Sequence, residues 1–300
     1  MKLIVQPDAG VTPILTAIKS ARKTIDVLVF RLDQPDVTRA LEAAVVRGVA
    51  VRALIAHTNR GGEKSLRKLE LRLLASGVTV ARTADDLVRY HGKMLIVDSR
   101  VLHVYGFNFT ALDIGRSRSF GITTRNARLT QEALRLFEAD CARYPYIPSN
   151  DRFVVSPENA RERLTAFIKG ARKQLLIYDP KVSDPVILRL LVERQSAGVE
   201  IRIIGKLGGG RSQLVAERCP GRRLHIRAII RDGVRAFMGS QSLRRLELEK
   251  RREIGVVIDD EAVVKQMQLV FEEDWSKTES GKQEARKAEK KDGKEVQPAV

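Results

Sequence analysis

The sequence predicts an α/β protein made of two copies of one layered domain, and three observations carry that prediction. Ile18–Ile25 (IKSARKTI) returns as Ile168–Leu175 (IKGARKQL) 150 residues later, and RGVAVRALI (47–55) returns as AGVEIRIIG (197–205) at the same offset. Stretches with helical periodicity alternate with short aliphatic runs in both copies. Those runs are apolar along their length rather than at every second residue, as strands covered on both faces must be.

Taken in order, each copy begins with an amphipathic helix, at about 11–23 and again at about 160–173, leading into an aliphatic strand, IDVLVF (25–30) or LLIYD (175–179). A second helix at about 35–47, matched at about 185–197, precedes the strand VAVRALI (49–55) or VEIRIIG (199–205). A strand pair then surrounds a histidine motif, followed by one further strand, SFGITTR (119–125) or EIGVVID (253–259). The closing helices are LTQEALRLFEADCAR (129–143) and EAVVKQMQLVFEEDW (261–275), with Phe271 and Trp275 on the core face by spacing. From the histidine motif onward the offset shrinks to 134, so that FEAD (137–140) returns as FEED (271–274). The second copy has therefore lost about sixteen residues, most simply the helix–strand unit LRKLELRLLASGVTVAR (66–82). Two prolines in RYPYIPSNDR (143–152) mark the hinge. The expected division is an N-terminal half over 1–146, a C-terminal half over 147–275, and a charged tail over 276–300 that is disordered or a frayed helix.

Fifty-four basic against 37 acidic residues give a net charge of +17, and the tail's seven basic and five acidic residues leave +15 on the body. That surplus points to an anionic partner: phosphate ester, anionic lipid or nucleic acid. Two cysteines, Cys141 and Cys219, can build neither a disulfide framework nor a recognisable metal site, which fits a reducing cytoplasm. The start MKLIVQPDAG does not read as a signal peptide, and no run approaches the roughly 18 apolar residues of a spanning helix. Any membrane contact is expected to be peripheral.

The chemistry concentrates in YHGKMLIVD (90–98). His91 and Lys93 face the same side of an extended chain, while the aliphatics behind them anchor in a core. A neutral imidazole beside a fixed cation suits work on an anion. The full motif runs from His91 through Lys93, Asp98, Tyr105 and Gly106 to Asn108; it returns without a gap as His225, Arg227, Asp232, Gly239, Ser240 and Ser242. Asp98 and Asp232, at strand ends before turns, read as structural. His103, in an alternating strand, reads as a packed or surface histidine. The loop GKLGGGR (205–211) lacks P-loop order and reads as a flexible connection near the site.

Two ungapped copies of HxKx4D resemble the signature HxKx4Dx6GSxN of the phospholipase D superfamily, in particular its two-motif bacterial members similar to cardiolipin synthase-like proteins. The resemblance spans nearly all of residues 1–275, including the trailing REIG (252–255). It implies two mixed-sheet halves packed around a pseudo-twofold axis, a monomer with both motifs in one site, and a phosphohistidine route. One histidine attacks phosphorus, the other protonates the leaving oxygen, and water or an alcohol resolves the intermediate. Two imidazoles can share such a double displacement near neutral pH. Cationic and amide side chains then neutralise the phosphoryl oxygens, and neither a metal ion nor another cofactor is expected.

The departures are distributed. Tyr105 and Gly106 stand where the family has Gly and Ser, although Asn108 is kept; Gly239 and Ser240 are kept, but Arg227 replaces Lys and Ser242 replaces Asn. Asn108, Arg227, Ser240 and Ser242 are the expected phosphate-binding residues. The family carries an acidic residue downstream of each histidine that orients the opposite imidazole. Glu253 holds that place after His225, but its counterpart after His91 is Ser119, so His225 is expected to have only Ser119. On that basis His91, with Lys93 and Glu253, is the expected nucleophile and His225 the acid and later base. The favoured substrate is a phospholipid head group. A metal-independent nuclease is the runner-up, against which aromatic content of 5% leaves few stacking platforms. A non-catalytic phosphate-binding descendant is the third reading.

Overall fold

The computed structural model describes residues 1–57, 63–208 and 213–295, so Gly209–Arg211 of the glycine-rich loop lies outside the described residues. The N-terminal half runs β1 (Lys2–Gln6), α1 (Thr12–Ser20), β2 (Thr24–Val29), α2 (Pro35–Val46), β3 (Ala50–Ile55), α3 (Glu63–Ala75), β4 (Thr79–Arg82), β5 (Arg89–Tyr90), β6 (Met94–Val97), β7 (Val101–Tyr105), α4 (Ala111–Arg116), β8 (Ser117–Thr124) and α5 (Ala127–Ala142). The C-terminal half runs β9 (Phe153–Ser156), α6 (Ala160–Lys169), β10 (Gln174–Val182), α7 (Pro185–Ser196), β11 (Glu200–Leu207), β12 (Ala216–Glu217), β13 (Arg223–Leu224), β14 (Ala228–Arg231), β15 (Arg235–Gly239), α8 (Arg245–Glu249), β16 (Arg251–Ile258), α9 (Glu261–Ser276) and α10 (Glu279–Glu295).

Both α1 and α6 stop earlier than their periodicity suggests, and the motif aspartates explain why. The Asp98 carboxylate accepts the N–H groups of Arg22, Lys23 and Thr24 at 2.7–3.1 Å, which turns the chain out of α1 and into β2. Asp232 does the same for Arg172, Lys173 and Gln174, between α6 and β10. Capturing three otherwise orphaned donors is a structural task.

The strands form two mixed sheets of eight. Their orders are β1-β8-β7-β6-β2-β3-β4, with β13 also on β8, and β12-β11-β10-β14-β15-β16-β5, with β9 also on β16. In each, a parallel part meets an antiparallel meander that carries the histidine motif. Two strands cross between halves. β5 pairs parallel with β16, setting Tyr90 beside Arg252, and β13 pairs parallel with β8, setting Leu224 beside Arg118. Each leads directly into its own half's histidine while bonded to the other half's sheet.

Three cores follow. Ile14, Ile18, Val37 and Leu41 of α1 and α2 cover the first sheet, and Leu164, Ile168, Ile187 and Leu191 of α6 and α7 cover the second. Between the sheets lies a shared core in which Leu136 and Phe137 of α5 meet Met267, Phe271 and Trp275 of α9. Burying each such aromatic contributes about 1.5–3 kcal/mol, which ties the halves together.

The second half lacks a counterpart of α3 among the described residues, and β12 alone lies beside β11 where β4 lies beside β3. The tail is helical over Glu279–Glu295 rather than disordered. Trp275 Nε1 and Arg202 both reach Glu284 at 3.2 Å, and Thr278 Oγ1 accepts the Gly281 N–H at 3.1 Å. Of the two alternatives the composition left open, the helical one is what these anchors hold.

Candidate functional site

His91 follows β5, and its N–H and that of Gly92 both donate to the Arg252 carbonyl, at 2.7 and 3.1 Å. A side chain at position 92 would place Cβ 2.5 Å from Ile254 Cδ1, so only glycine allows this approach to β16. His225 follows β13 and donates its N–H to the Arg118 carbonyl at 3.1 Å. Both arginines are clamped across the halves. Arg118 meets Asp274 of α9 at 2.9 Å, and Arg252 meets Asp140 of α5 at 3.1 Å and also Glu158. Each imidazole is therefore positioned by a backbone carbonyl whose own side chain is pinned by an inter-half ion pair.

The His91 ring is buried. Its Nδ1 bonds Glu253 Oε2 at 2.8 Å, and Glu253 is fully enclosed on β16. Lys93 Nζ stands 3.0 Å from Nε2 and donates to the His91 carbonyl at 2.7 Å, while the Phe30 ring lies edge-on to the imidazole at 4.7 Å. In the second motif, Arg227 donates to the His225 carbonyl at 3.2 Å and to Ser242 Oγ at 3.4 Å. Arg227 thus tethers its histidine as Lys93 does.

Ser119 does not serve the His225 ring: its Oγ donates to the His225 carbonyl at 3.2 Å. The carboxylate at that ring is Asp113 on α4, with Oδ2 3.5 Å from Nδ1. This corrects the expectation that His225 has no acidic partner. Asp113 is held in place by the Asn108 N–H and side-chain amide at 2.9 and 2.7 Å and by Arg223 at 2.5 Å. The one sequence signal for it is Glu247, an acidic residue that repeats it 134 residues on. Asn108 consequently faces Asp113. Ser240 turns toward β16, donating to the Ile254 carbonyl at 3.3 Å and accepting the Ile254 N–H at 3.1 Å. His103 is packed, 2.9 Å from Thr123 Oγ1.

Charge links the two motifs. Burial, then Lys93 and Arg227, push His91 well below its ordinary 6.5. Burial and Arg227 likewise push His225 down, with Asp113 opposing and Lys93 adding to the effect. Burial brings Lys93 down to about 7 against the pull of Glu253 and Asp113. Burial raises Glu253, with Lys93 opposing. Burial also works to raise Asp113, but His225, the Asn108 bonds and Arg223 outweigh it and hold the carboxyl low. Each imidazole thus feels the other motif's cation. Two neutral imidazoles flanked by buried Lys93 and half-buried Arg227 form a receptor for an anion and a pair of proton-transfer groups. Among the described residues, no cluster of three or more His, Cys, Asp or Glu could hold a metal ion.

A family model described as cardiolipin synthase, PLD-like domain, matches residues 14–141 and 164–275. Mitochondrial cardiolipin hydrolase of Mus musculus is 25% identical over 150 residues, covering 48% of this chain and 66% of that protein. Phosphatidylserine synthase of Haemophilus influenzae Rd KW20 superposes with a TM-score of 0.68 at 12% identity, over 89% of this chain and 85% of that one. A polyphosphate kinase from Porphyromonas gingivalis superposes with a TM-score of 0.74 at 20% identity, over 90% of this chain and 49% of that one. The chain spans just under two thirds of the hydrolase and about half of the kinase. At these identities the two structures speak to the duplicated fold.

Proposed function

We infer the reaction from one premise: this chain belongs to the family of cardiolipin synthase, phospholipase D-like domains. Phosphodiester chemistry related to phospholipids goes with that family. The finer reading is cleavage of a phospholipid head-group diester. His91 Nε2 attacks phosphorus, the bond from phosphorus to the head-group oxygen breaks, and His225 gives that oxygen its proton. Water or an alcohol then attacks the phosphohistidine, His225 takes its proton, and the phosphorus–nitrogen bond breaks to regenerate His91.

The Glu253–His91 bond at 2.8 Å carries this assignment of roles. It fixes Nδ1, leaves Nε2 for phosphorus, and offsets the positive charge that the ring acquires in the intermediate. His91 is held neutral, hence nucleophilic, by burial and by its cations. His225 must start protonated; a bound diester supplies negative charge against Lys93 and Arg227 and, with Asp113, raises the ring toward that state. The basic surplus of +17 supports peripheral meeting with an anionic bilayer.

Vesicles of phosphatidylcholine and phosphatidylglycerol, assayed with EDTA beside single- and double-stranded DNA, test the reading. Head-group release or transfer to ethanol is expected, and His91→Ala should abolish both turnover and an acid-labile phosphoenzyme. His225→Ala should slow its breakdown. Nicked DNA with inert lipid transfers the chemistry to nucleic acid; silence on every substrate leaves a phosphate-binding protein.

A further inference from the structure

Beside the two histidines the halves differ at matched positions. Thr24 and Gln174 begin equivalent strands, each accepting the N–H of its motif aspartate at 2.9 Å, which makes Phe30 the counterpart of Pro180 and Ile55 that of Gly205. In the first half the space is filled: Phe30 packs against His91 with Arg89 over its ring, and Ile55 is fully buried. In the second half a proline ring replaces the aromatic and the branched chain is gone. Gly205 has a φ of 154°, and a Cβ there would fall 1.7 Å from the Asp179 carbonyl oxygen, so β11 must pass β10 bare. A cavity of about 410 Å³ opens instead, lined by Pro180, Gly205, Cys219, Leu224 and three cations, Lys206, Arg218 and Arg222.

Leu224 immediately precedes His225. The lining holds no carboxylate. Arg222 meets Asp8 at 3.4 Å, and among the described residues Lys206 and Arg218 have no ion-pair partner. The volume lies in the roughly 300–1,000 Å³ range of small-ligand sites, larger than one phosphate needs. It suits a phosphate together with the few carbons joining it to a reacting oxygen.

We infer that this cavity is an anion subsite on the leaving-group side, receiving a second phosphate carried by the head group. The inference rests on the phospholipid reading above, in which His225 serves the departing head-group oxygen, so that whatever adjoins His225 adjoins the head group. Asymmetry between the repeats thus becomes substrate selectivity: a plugged wall beside the nucleophile and, at Leu224, one residue before the acid, a cationic chamber.

Phosphatidylglycerophosphate and phosphatidylglycerol differ by that one terminal phosphate. At fixed ionic strength kcat/KM should favour the former by roughly tenfold or more, the scale of charge-assisted contacts at a partly open site. The ratio should fall toward unity in Lys206→Ala/Arg218→Ala and in Pro180→Phe, which restores the aromatic plug. A charge-matched Arg128→Ala/Lys265→Ala variant, on α5 and α9, should keep the preference, separating the subsite from bulk attraction. Equal rates for the two lipids, or a ratio indifferent to the cavity variants, overturn the inference. If neither lipid turns over, the phospholipid reading fails by itself, and calorimetry with pyrophosphate decides the subsite. Binding weakened in Lys206→Ala/Arg218→Ala upholds it, and unchanged or absent binding overturns it.

Discussion

Asp113 and Glu247 occupy matched positions 134 residues apart on α4 and α8, yet only Asp113 reaches a motif imidazole. Glu247 is bound instead to Arg251 at 2.9 Å and to Arg244 at 3.2 Å. Six residues further on the relationship reverses: Ser119 meets only the His225 carbonyl, while its counterpart Glu253 holds His91. Each ring takes its carboxylate from the opposite half, but from a helix in one case and a strand in the other.

The unequal distances predict unequal losses. Glu253→Gln should lower kcat on the order of 10²-fold, within the usual range for disturbing an acid–base group, and slow phosphoenzyme formation in single-turnover quench. Asp113→Asn, acting on a ring 3.5 Å away, should cost about tenfold and slow both formation and breakdown, since His225 is the acid of one step and the base of the other. Glu253→Gln leaving phosphoenzyme formation at the wild-type rate argues against the division of labour.

Lys93, brought down to about 7 by burial, predicts the basic limb of the pH profile. As pH rises through that value the free protein loses a cation that grips phosphate, so kcat/KM should fall. The limb in kcat should lie higher, because bound diester favours the protonated amine. Lys93→Arg should remove the step near 7, since guanidinium keeps its charge, and leave the fall set by loss of the His225 proton. The acid limb, set by His91, should lie below 6.5.

The inter-half clamps predict stability. Arg118 and Asp274 are both buried, so Arg118→Met alone should destabilise by about 3–5 kcal/mol through the stranded carboxylate. Adding Asp274→Leu should recover much of that loss, read as the shift in denaturant midpoint. A double variant no better than the single would show that packing, not charge, dominates there.

Asp98→Ala should cost about 1.5–3 kcal/mol of stability by removing the acceptor of three backbone donors. The sign of its pH dependence follows from a folded carboxyl held below the ordinary 3.8: burial opposes the shift, and the Thr24, Lys23 and Arg22 N–H bonds outweigh it. The contribution is complete above 3.8 and fades as pH drops through the lower folded value. The gap between wild type and variant should therefore narrow in strong acid.

Much of this was legible because it recurs. The double motif and the strand–helix alternation follow from residues read at offsets of 150 and 134, while the partnership of Glu253 with His91 comes from the resemblance those motifs carry. Asp113 escaped because it lies outside the motif, on a six-residue helix whose direction is set by the Thr110 cap and by Arg223 from the other half. The two-residue strands β5 and β13 escaped for a related reason: such short segments carry no periodicity, and only their partners in β16 and β8 make them strands. The tail's polar composition left disorder and helix both open, because its order comes from single anchors at Trp275, Thr278 and Glu284.

The crossing of β5 and β13 makes the duplication irreversible in practice. A chain severed in the 143–152 segment would yield two fragments, each retaining an imidazole but stripped of the carbonyl that aims it and the carboxylate that tunes it. Neither piece could work as a miniature of the whole, and damage to one repeat would be felt first as a misdirected ring in its twin.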